Sequence, residues 1–150
     1  MHLQQDGRIR HIGLCNFDTK HMVELMDQDA PIVSNQVSFS ILDDRPVAYM
    51  VPECTKRGVQ LLCYCTLLGG FLTNRWLGQP QPSPDTLTNV SLRKYLPWIR
   101  VWGGWDKFQA LLRELDSVGK KHGGVSIANV ATRWVLQQDA VGGVILGVRL

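Results

Sequence analysis

Four short, largely apolar runs separated by helical patterns restrict what this chain can fold into. The runs cover residues 10–14, 32–37, 59–63 and 141–146 and predict four strands. Nearly continuous apolar runs are typical of strands that are covered on both faces. Because helices separate the strands throughout, each strand is expected to pair in parallel with a neighbour. The sequence therefore predicts an α/β protein with a parallel sheet, either doubly wound or part of a barrel.

Helical patterns fill most of the segments between these runs. They predict a helix capped by Asp18 or Thr19, one ending at Arg57 before Gly58, one over 91–101 that is interrupted near Pro97, one over 105–122, and one capped by Ser126. The segment 73–88 has prolines at every second position from Pro80 to Pro84, which exclude regular structure. This segment is expected to be a long excursion over the surface or over a site.

The third strand ends in a loop that lacks bulky side chains at two successive positions. Tyr64 stands at the exit of the strand, and Gly69 and Gly70 follow. A glycine pair can adopt positive φ values or let a ligand approach the backbone closely. In α/β proteins ligands bind at the carboxyl ends of the strands. The sequence therefore predicts a ligand site at this end of the sheet.

Composition excludes several classes of protein. The 150 residues are 45% hydrophobic and carry a net charge of +3 with scattered basic residues, so one domain over 1–150 is expected and nucleic-acid binding is not. No apolar run approaches the ~20 residues of a membrane span, and the first dozen residues are too polar for a signal peptide, which predicts a cytoplasmic protein without a membrane partner. The four cysteines lack metal-ligand spacing and are expected to be buried, reduced thiols, with no metal site.

The common nucleotide signatures of doubly wound sheets are missing. No GxGxxG follows the first strand, and no GxxxxGK[ST] occurs anywhere in the chain. Their absence favours a barrel. A (β/α)₈ barrel usually takes about 250 residues, so four strands would make half of one.

Several motifs resemble those of the aldo-keto reductase family in order and spacing. They are Gly-Leu-Cys-Asn-Phe at 13–17, Asn-Gln-Val at 35–37, Tyr-Cys-Thr-Leu-Leu-Gly-Gly-Phe-Leu at 64–72, Ser-Ile-Ala-Asn-Val-Ala-Thr-Arg-Trp-Val-Leu at 126–136, and Val-Ile-Leu-Gly-Val-Arg at 144–149. The resemblance covers essentially the whole chain. It implies an α/β fold that is the C-terminal half of a (β/α)₈ TIM barrel, with strands five to eight.

The resemblance also implies NADPH as cofactor. It assigns Asn16 and Gln36 to the nicotinamide carboxamide and Tyr64 to stacking on the nicotinamide ring. It places the loop after the third strand along the pyrophosphate, with the residues Cys65, Thr66, Leu67, Gly69 and Gly70 and with Arg75 nearby. It places three residues at the adenosine 2′-phosphate, namely Gly147, Val148 and Arg149. The resemblance also assigns Cys15 to cofactor binding, at a position where many members have serine, and Thr66 stands where many have proline.

The same resemblance implies that the catalytic residues lie elsewhere. Family members use a tyrosine, a lysine, an aspartate and a histidine from the first half of the barrel, so no residue of this chain is assigned a catalytic role. The first hypothesis is therefore the cofactor-binding half of an NADPH-dependent oxidoreductase, inactive alone, which takes a carbonyl substrate only when completed by an N-terminal half. The alternative is a truncated, non-catalytic relative that binds nucleotide weakly or acts as an interaction module.

A half barrel would also leave strands unpaired. Its first and last strands would expose hydrogen-bonding groups, and its interior, with Ile12, Val33, Leu61 and Val144, would face water. Poor stability and self-association through the open edges are therefore expected.

Overall fold

The computed structural model describes residues 2–147 as helices and turns arranged around one four-stranded sheet. The strands are β1 (Ile12–Cys15), β2 (Ile32–Ser38), β3 (Gln60–Tyr64) and β4 (Val141–Val144). The helices are α1 (His2–Gln5), α2 (Thr19–Met26), α3 (Arg45–Ala48), α4 (Met50–Arg57), α5 (Val90–Trp102), α6 (Gly104–Lys121) and α7 (Ile127–Leu136). Three 3₁₀ turns cover Leu68–Gly70, Asn74–Trp76 and Pro84–Thr86.

The predicted parallel sheet is confirmed. Its strands lie in sequence order, β1-β2-β3-β4, and each pairs in parallel with the next. This order requires a crossover between successive strands, and the helices provide it. All four carboxyl ends therefore lie at the same edge of the sheet.

Three predicted helix boundaries are confirmed by their capping geometry. The Asp18 carboxylate accepts a hydrogen bond from the His21 N–H at 2.9 Å, and the Ser126 hydroxyl accepts one from the Asn129 N–H at 3.2 Å. Gly58 ends α4 in the left-handed conformation at φ 71°.

The segment between β3 and α6 differs from the prediction. The helix α5 was predicted to be interrupted near Pro97, but it continues through Pro97 to Trp102. Residues 73–88, which were expected to be a long excursion over the surface or over a site, are anchored in the core. Trp76 is buried and donates its indole N–H to the Gly70 carbonyl at 3.1 Å, and its own carbonyl accepts from the Gln109 amide at 2.8 Å. Packing against α6 therefore fixes a segment whose prolines exclude regular structure.

The apolar core lies on one face of the sheet, against the helices. Leu61 and Cys63 of β3 are fully buried in one cluster with Met22 of α2, Cys54 of α4 and Val135 of α7. A second cluster, rich in aromatic rings, joins the turns after β3 to α5 and α6. The first of these clusters is called the sheet cluster below.

The opposite face of the sheet carries mainly small and polar side chains, together with Leu62. Two rows in register run across it, Gly13 beside Ser34 beside Gln60, and Cys15 beside Gln36 beside Leu62. This overturns the expectation that Ile12, Leu61 and Val144 line an exposed interior. Leu61 is 0% exposed within the sheet cluster, and Ile12 and Val144 are partly buried and pack against it. Val33 alone of the predicted four is exposed.

The cysteines follow the same division between the two faces. Cys54 and Cys63 are buried as predicted, and burial raises the pKa of their thiols to about 11 and about 12. Cys15 is exposed, so the prediction of burial was wrong for it. All four thiols are free.

No helix within residues 2–147 has the length and hydropathy needed to cross a membrane.

Candidate functional site

The carboxyl ends of β1, β2 and β3 meet in two short hydrogen bonds. The Tyr64 hydroxyl donates to the Asn16 side-chain oxygen at 2.7 Å, and the Asn16 N–H donates to the Gln36 carbonyl at 2.8 Å. Asn16 adopts φ 58°, a left-handed conformation that asparagine tolerates better than most residues. The structure thus brings together three residues that the sequence assigned to one end of a cofactor.

Gln36 points to the open face of the sheet. It lies in register between Cys15 and Leu62 and is half-buried. Its side-chain amide forms no hydrogen bond with any other residue of the described range 2–147. Its donor and its acceptor are therefore both available to a ligand that carries an amide.

The Tyr64 ring forms part of two clefts. The larger, about 480 Å³, is called the glycine cleft. It is lined by Tyr64, Cys65, Thr66, Leu67, Gly69, Gly70, Asn89, Ser91, Tyr95, Ile145, Leu146 and Gly147. The smaller, about 320 Å³, is called the loop cleft, and is lined by Asn16, Phe17, Asp18, Thr19, Val37, Ser38, Arg45, Pro46, Tyr49, Met50 and Tyr64.

The two glycines after β3 have different roles. A Cβ atom on Gly69 would lie 2.6 Å from the Tyr95 ring and 3.0 Å from the Ser91 carbonyl, so the missing side chain lets α5 pack closely. Gly70 has φ 106°, and a Cβ atom there would meet nothing closer than Leu92 at 3.9 Å. Of the two positions, the one at Gly70 has room for a ligand beside the backbone.

The side chains at the start of the loop are held by the protein itself. The Thr66 hydroxyl is buried and donates to the Phe39 carbonyl at 3.2 Å. Cys65 has φ 66°, and burial is the main cause that raises the pKa of its thiol. Leu67 packs against the aromatic cluster. This loop therefore presents mainly backbone to the glycine cleft.

The remaining predicted residues divide into three cases. Gly147 lines the glycine cleft. Arg75 does not line it, because its guanidinium lies over the Trp76 ring, 5.4 Å from the centroid. Val148 and Arg149 lie outside the described residues.

Sequence reasoning missed three residues that line the glycine cleft from the start of α5. They are Asn89, Ser91 and Tyr95. Asn89 caps this helix by accepting a hydrogen bond from the Ser91 N–H at 2.8 Å, and Tyr95 lies one turn after Ser91. Asparagine before an apolar run is a recognised helix-start signal, but the proline-rich segment before it obscured this one.

An ion pair at the rim of the loop cleft was also missed, between a buried carboxylate and the Arg45 side chain, which is 76% exposed. The Asp43 carboxylate is buried and accepts from Arg45 Nη2 at 2.8 Å and from the Ser38 hydroxyl at 2.9 Å. Burial alone would raise the pKa of Asp43, but these two hydrogen bonds and the Arg45 charge outweigh it and lower the pKa. The sequence showed this stretch only as a polar turn.

The parallel sheet with ligand-sized clefts at its carboxyl edge is the arrangement of an α/β binding protein or enzyme. The Aldo/keto reductase family matches residues 1–150, and the chain belongs to this family. Among its relatives is Flagellar radial spoke protein 5 of Chlamydomonas reinhardtii, which is 33% identical over 134 residues, 88% of this chain and 25% of that protein.

Solved structures agree with this assignment. A glycerol dehydrogenase from Gluconobacter oxydans superimposes with a TM-score of 0.73 at 25% identity, over 95% of this chain and 41% of its own. An aldo-keto reductase from Klebsiella pneumoniae, solved in complex with NADPH, has a TM-score of 0.63 at 18% identity, over 97% of this chain and 40% of its own. The chain spans between a quarter and about two fifths of the length of the curated relatives that it matches first.

Proposed function

We propose that this chain is the cofactor-binding half of an NADPH-dependent oxidoreductase that reduces aldehydes or ketones. In this proposal β1 to β4 are strands five to eight of a (β/α)₈ barrel, and residues 1–150 form part of one reductase domain. Four parallel strands in sequence order support it, as does the glycerol dehydrogenase, of which this chain covers 41%. When bound, NADPH supplies a hydride to the carbonyl carbon.

The residues at the strand ends fit the nicotinamide end of the cofactor. The observation that carries the proposal is the hydrogen bond from Tyr64 to Asn16, which holds an aromatic ring at the wall of the glycine cleft. A flat nicotinamide ring can stack on tyrosine, and the Gln36 amide can pair with the carboxamide. The pyrophosphate would follow the backbone at Gly70, where there is space.

Among residues 2–147, neither of the two tyrosines that line the glycine cleft is a suitable proton donor. Tyr64 already donates its hydroxyl proton to Asn16. Burial is the main cause that raises the pKa of Tyr95, which makes it a weaker acid than free tyrosine. The carbonyl oxygen would therefore be protonated by residues of another barrel segment, and this chain would bind and orient the cofactor.

A specific observation favours a second candidate, a non-catalytic interaction module. The 33% identical relative from Chlamydomonas reinhardtii is named as a flagellar radial spoke protein rather than as a reductase. A chain with this role would use its surface in an assembly, and cofactor binding would be weak or absent. Measuring affinity for NADPH separates the two candidates.

The test is a fluorescence titration of the purified chain with NADPH and NADH. Tyr64→Ala and Gln36→Ala should each weaken the binding of both cofactors. The loss of affinity should be roughly tenfold for Tyr64→Ala, which removes the stacked ring. Val101→Ala is the control, because Val101 is 91% exposed and lines neither the glycine cleft nor the loop cleft. Equal affinity of wild type and Tyr64→Ala would reject the site, and no saturable binding by wild type would favour the interaction module.

Arg149 provides a test of the preference for NADPH. A guanidinium near the adenosine 2′-phosphate stabilises only the phosphorylated cofactor. Arg149→Ala should therefore weaken the binding of NADPH more than the binding of NADH. Equal losses for both cofactors would remove Arg149 from the site.

We also propose that the outer edges of β1 and β4, which pair with no further strand among residues 2–147, promote association, either with a complementary half barrel or between copies of the chain. Unpaired strand edges offer hydrogen-bonding groups to another strand. Sedimentation velocity at micromolar concentration is the test, and a long-lived monomer of 16.9 kDa would contradict this proposal. A cytoplasmic location is proposed on the basis of the four free thiols.

A further inference from the structure

The side chain of Asn35 on β2 is completely buried, which is unusual for an amide that lacks one of its partners. Its Nδ2 donates to the Phe17 carbonyl at 2.9 Å and lies 3.9 Å from the Met50 sulfur. Its Oδ1 has no hydrogen-bond partner among residues 2–147. Burying an unpaired oxygen costs stability, and leucine would avoid that cost. The bond to Phe17 is therefore the feature that distinguishes asparagine from an apolar residue here.

The Phe17 carbonyl belongs to the loop that holds Asn16 in its left-handed conformation. A non-glycine residue at φ 58° persists when surrounding contacts fix its backbone. Two hydrogen bonds do so: the Asn16 N–H donates to the Gln36 carbonyl at 2.8 Å, and Asn35 donates to the Phe17 carbonyl. Adjacent residues of β2 thus hold the loop on both sides of Asn16.

These contacts end at the Tyr64 ring. Asn16 accepts the Tyr64 hydroxyl proton at 2.7 Å, so the loop conformation decides where this ring is anchored. We propose that Asn35 is a positioning residue, which acts through Phe17 and Asn16 to hold Tyr64 in place for the nicotinamide end of the cofactor. This inference rests on the proposed function, and it adds a residue that itself faces the helices and touches no ligand.

The experiment compares the affinities of the protein for NADPH and for adenosine 2′,5′-bisphosphate. Both ligands carry the adenosine 2′-phosphate, but only NADPH has the nicotinamide ring. Asn35→Leu should weaken the binding of NADPH by about three- to tenfold, which is the effect of losing one positioned hydrogen bond. The affinity for the bisphosphate should be unchanged. Cys54→Ala is the control, because Cys54 is also fully buried, but its thiol contacts Met22 of α2 and not Phe17 or Asn16.

If Asn35→Leu weakened the binding of both ligands equally, a general loss of packing would explain the result and the proposal would be overturned. Unchanged affinity for both ligands would also overturn the proposal. NMR of the ligand-free protein gives an independent measurement. The Asn16 side-chain amide signals should shift in Asn35→Leu and in Tyr64→Phe, and unchanged signals in Asn35→Leu would overturn the proposal.

Two results separate this inference from the proposed function. Wild type that binds no NADPH would refute the proposed function and the cofactor role of Asn35, while the ligand-free spectra would still decide whether Asn35 places Asn16. If Asn35→Leu does not fold, hydrogen exchange of wild type decides. The Asn35 side-chain amide protons should exchange much more slowly than those of an exposed asparagine, and exchange at the solvent rate would overturn the proposal.

Discussion

Replacing Gly69 with alanine should destabilise the protein more than the same change at another glycine with similar backbone geometry. Gly69 has φ 65°, and a Cβ atom there would lie 2.6 Å from the Tyr95 ring and 3.0 Å from the backbone of Ser91. Neither neighbour can move freely, because Tyr95 is buried and Ser91 contributes backbone atoms of α5.

The expected loss has two parts. Left-handed backbone costs an alanine roughly 1–2 kcal/mol, and overpacking typically adds about 1–3 kcal/mol. Gly58→Ala is the matched control, since Gly58 has φ 71° with no atom within 4 Å of the added Cβ. It should lose the backbone part alone. Gly69→Ala is therefore expected to be less stable than Gly58→Ala by about 1–3 kcal/mol.

Urea unfolding followed by circular dichroism measures this difference. For a chain of this size each kcal/mol also lowers Tm by about 2–4 °C, so thermal melts give a second readout. If Gly69→Ala lost no more stability than Gly58→Ala, the close approach of α5 to this loop would be refuted. Gly69 would then have to be explained by a ligand instead.

Three further predictions concern activity, pH and thiol chemistry. The purified chain should not oxidise NADPH in the presence of an aldehyde, since positioned acid catalysis is worth about 10²- to 10⁴-fold; aldehyde-dependent oxidation above a heat-killed control would contradict this. The lowered pKa of Asp43 means that its ion pair with Arg45 stabilises the fold above about pH 4 and that this stability is lost as the pH falls through the lowered pKa. Asp43→Asn should therefore be less stable at pH 7 and lose less on acidification in urea unfolding, and an unchanged pH profile would argue against the pair. At pH 8 Ellman's reagent should modify Cys15 rapidly but not Cys54 or Cys63, whose thiols have pKa values of about 11 and about 12; a fast reaction that survives when both Cys15 and the partly buried Cys65 are replaced by serine would contradict the burial of Cys54 and Cys63.

The sequence was sufficient for the sheet and for most helix boundaries, because these depend on local signals. Apolar runs separated by helices predicted the parallel order, and the side chains of Asp18 and Ser126 predicted helix starts that the structure confirms. The family resemblance of the motifs at the strand ends implied that Asn16 and Tyr64 lie at the same end of a cofactor, and in the structure the two side chains form a hydrogen bond.

The errors arose where distant contacts decide the outcome. The proline-rich segment was expected to be a long excursion over the surface or over a site, but Trp76 within it is buried and its carbonyl accepts a hydrogen bond from Gln109, 33 positions away. Nearly continuous apolar strands do not reveal which face meets the helices, so Leu61 was assigned to the wrong side. A glycine pair does not reveal what occupies the missing Cβ positions, and at Gly69 it is a helix.

The position of Tyr64 between two clefts has a thermodynamic consequence. Its ring contributes to the walls of both the glycine cleft and the loop cleft. A molecule that binds one cleft and shifts this ring changes the shape of the other cleft as well. Linkage then requires reciprocity: if a ligand in the loop cleft changes the affinity of the glycine cleft by some factor, a ligand in the glycine cleft changes the affinity of the loop cleft by the same factor.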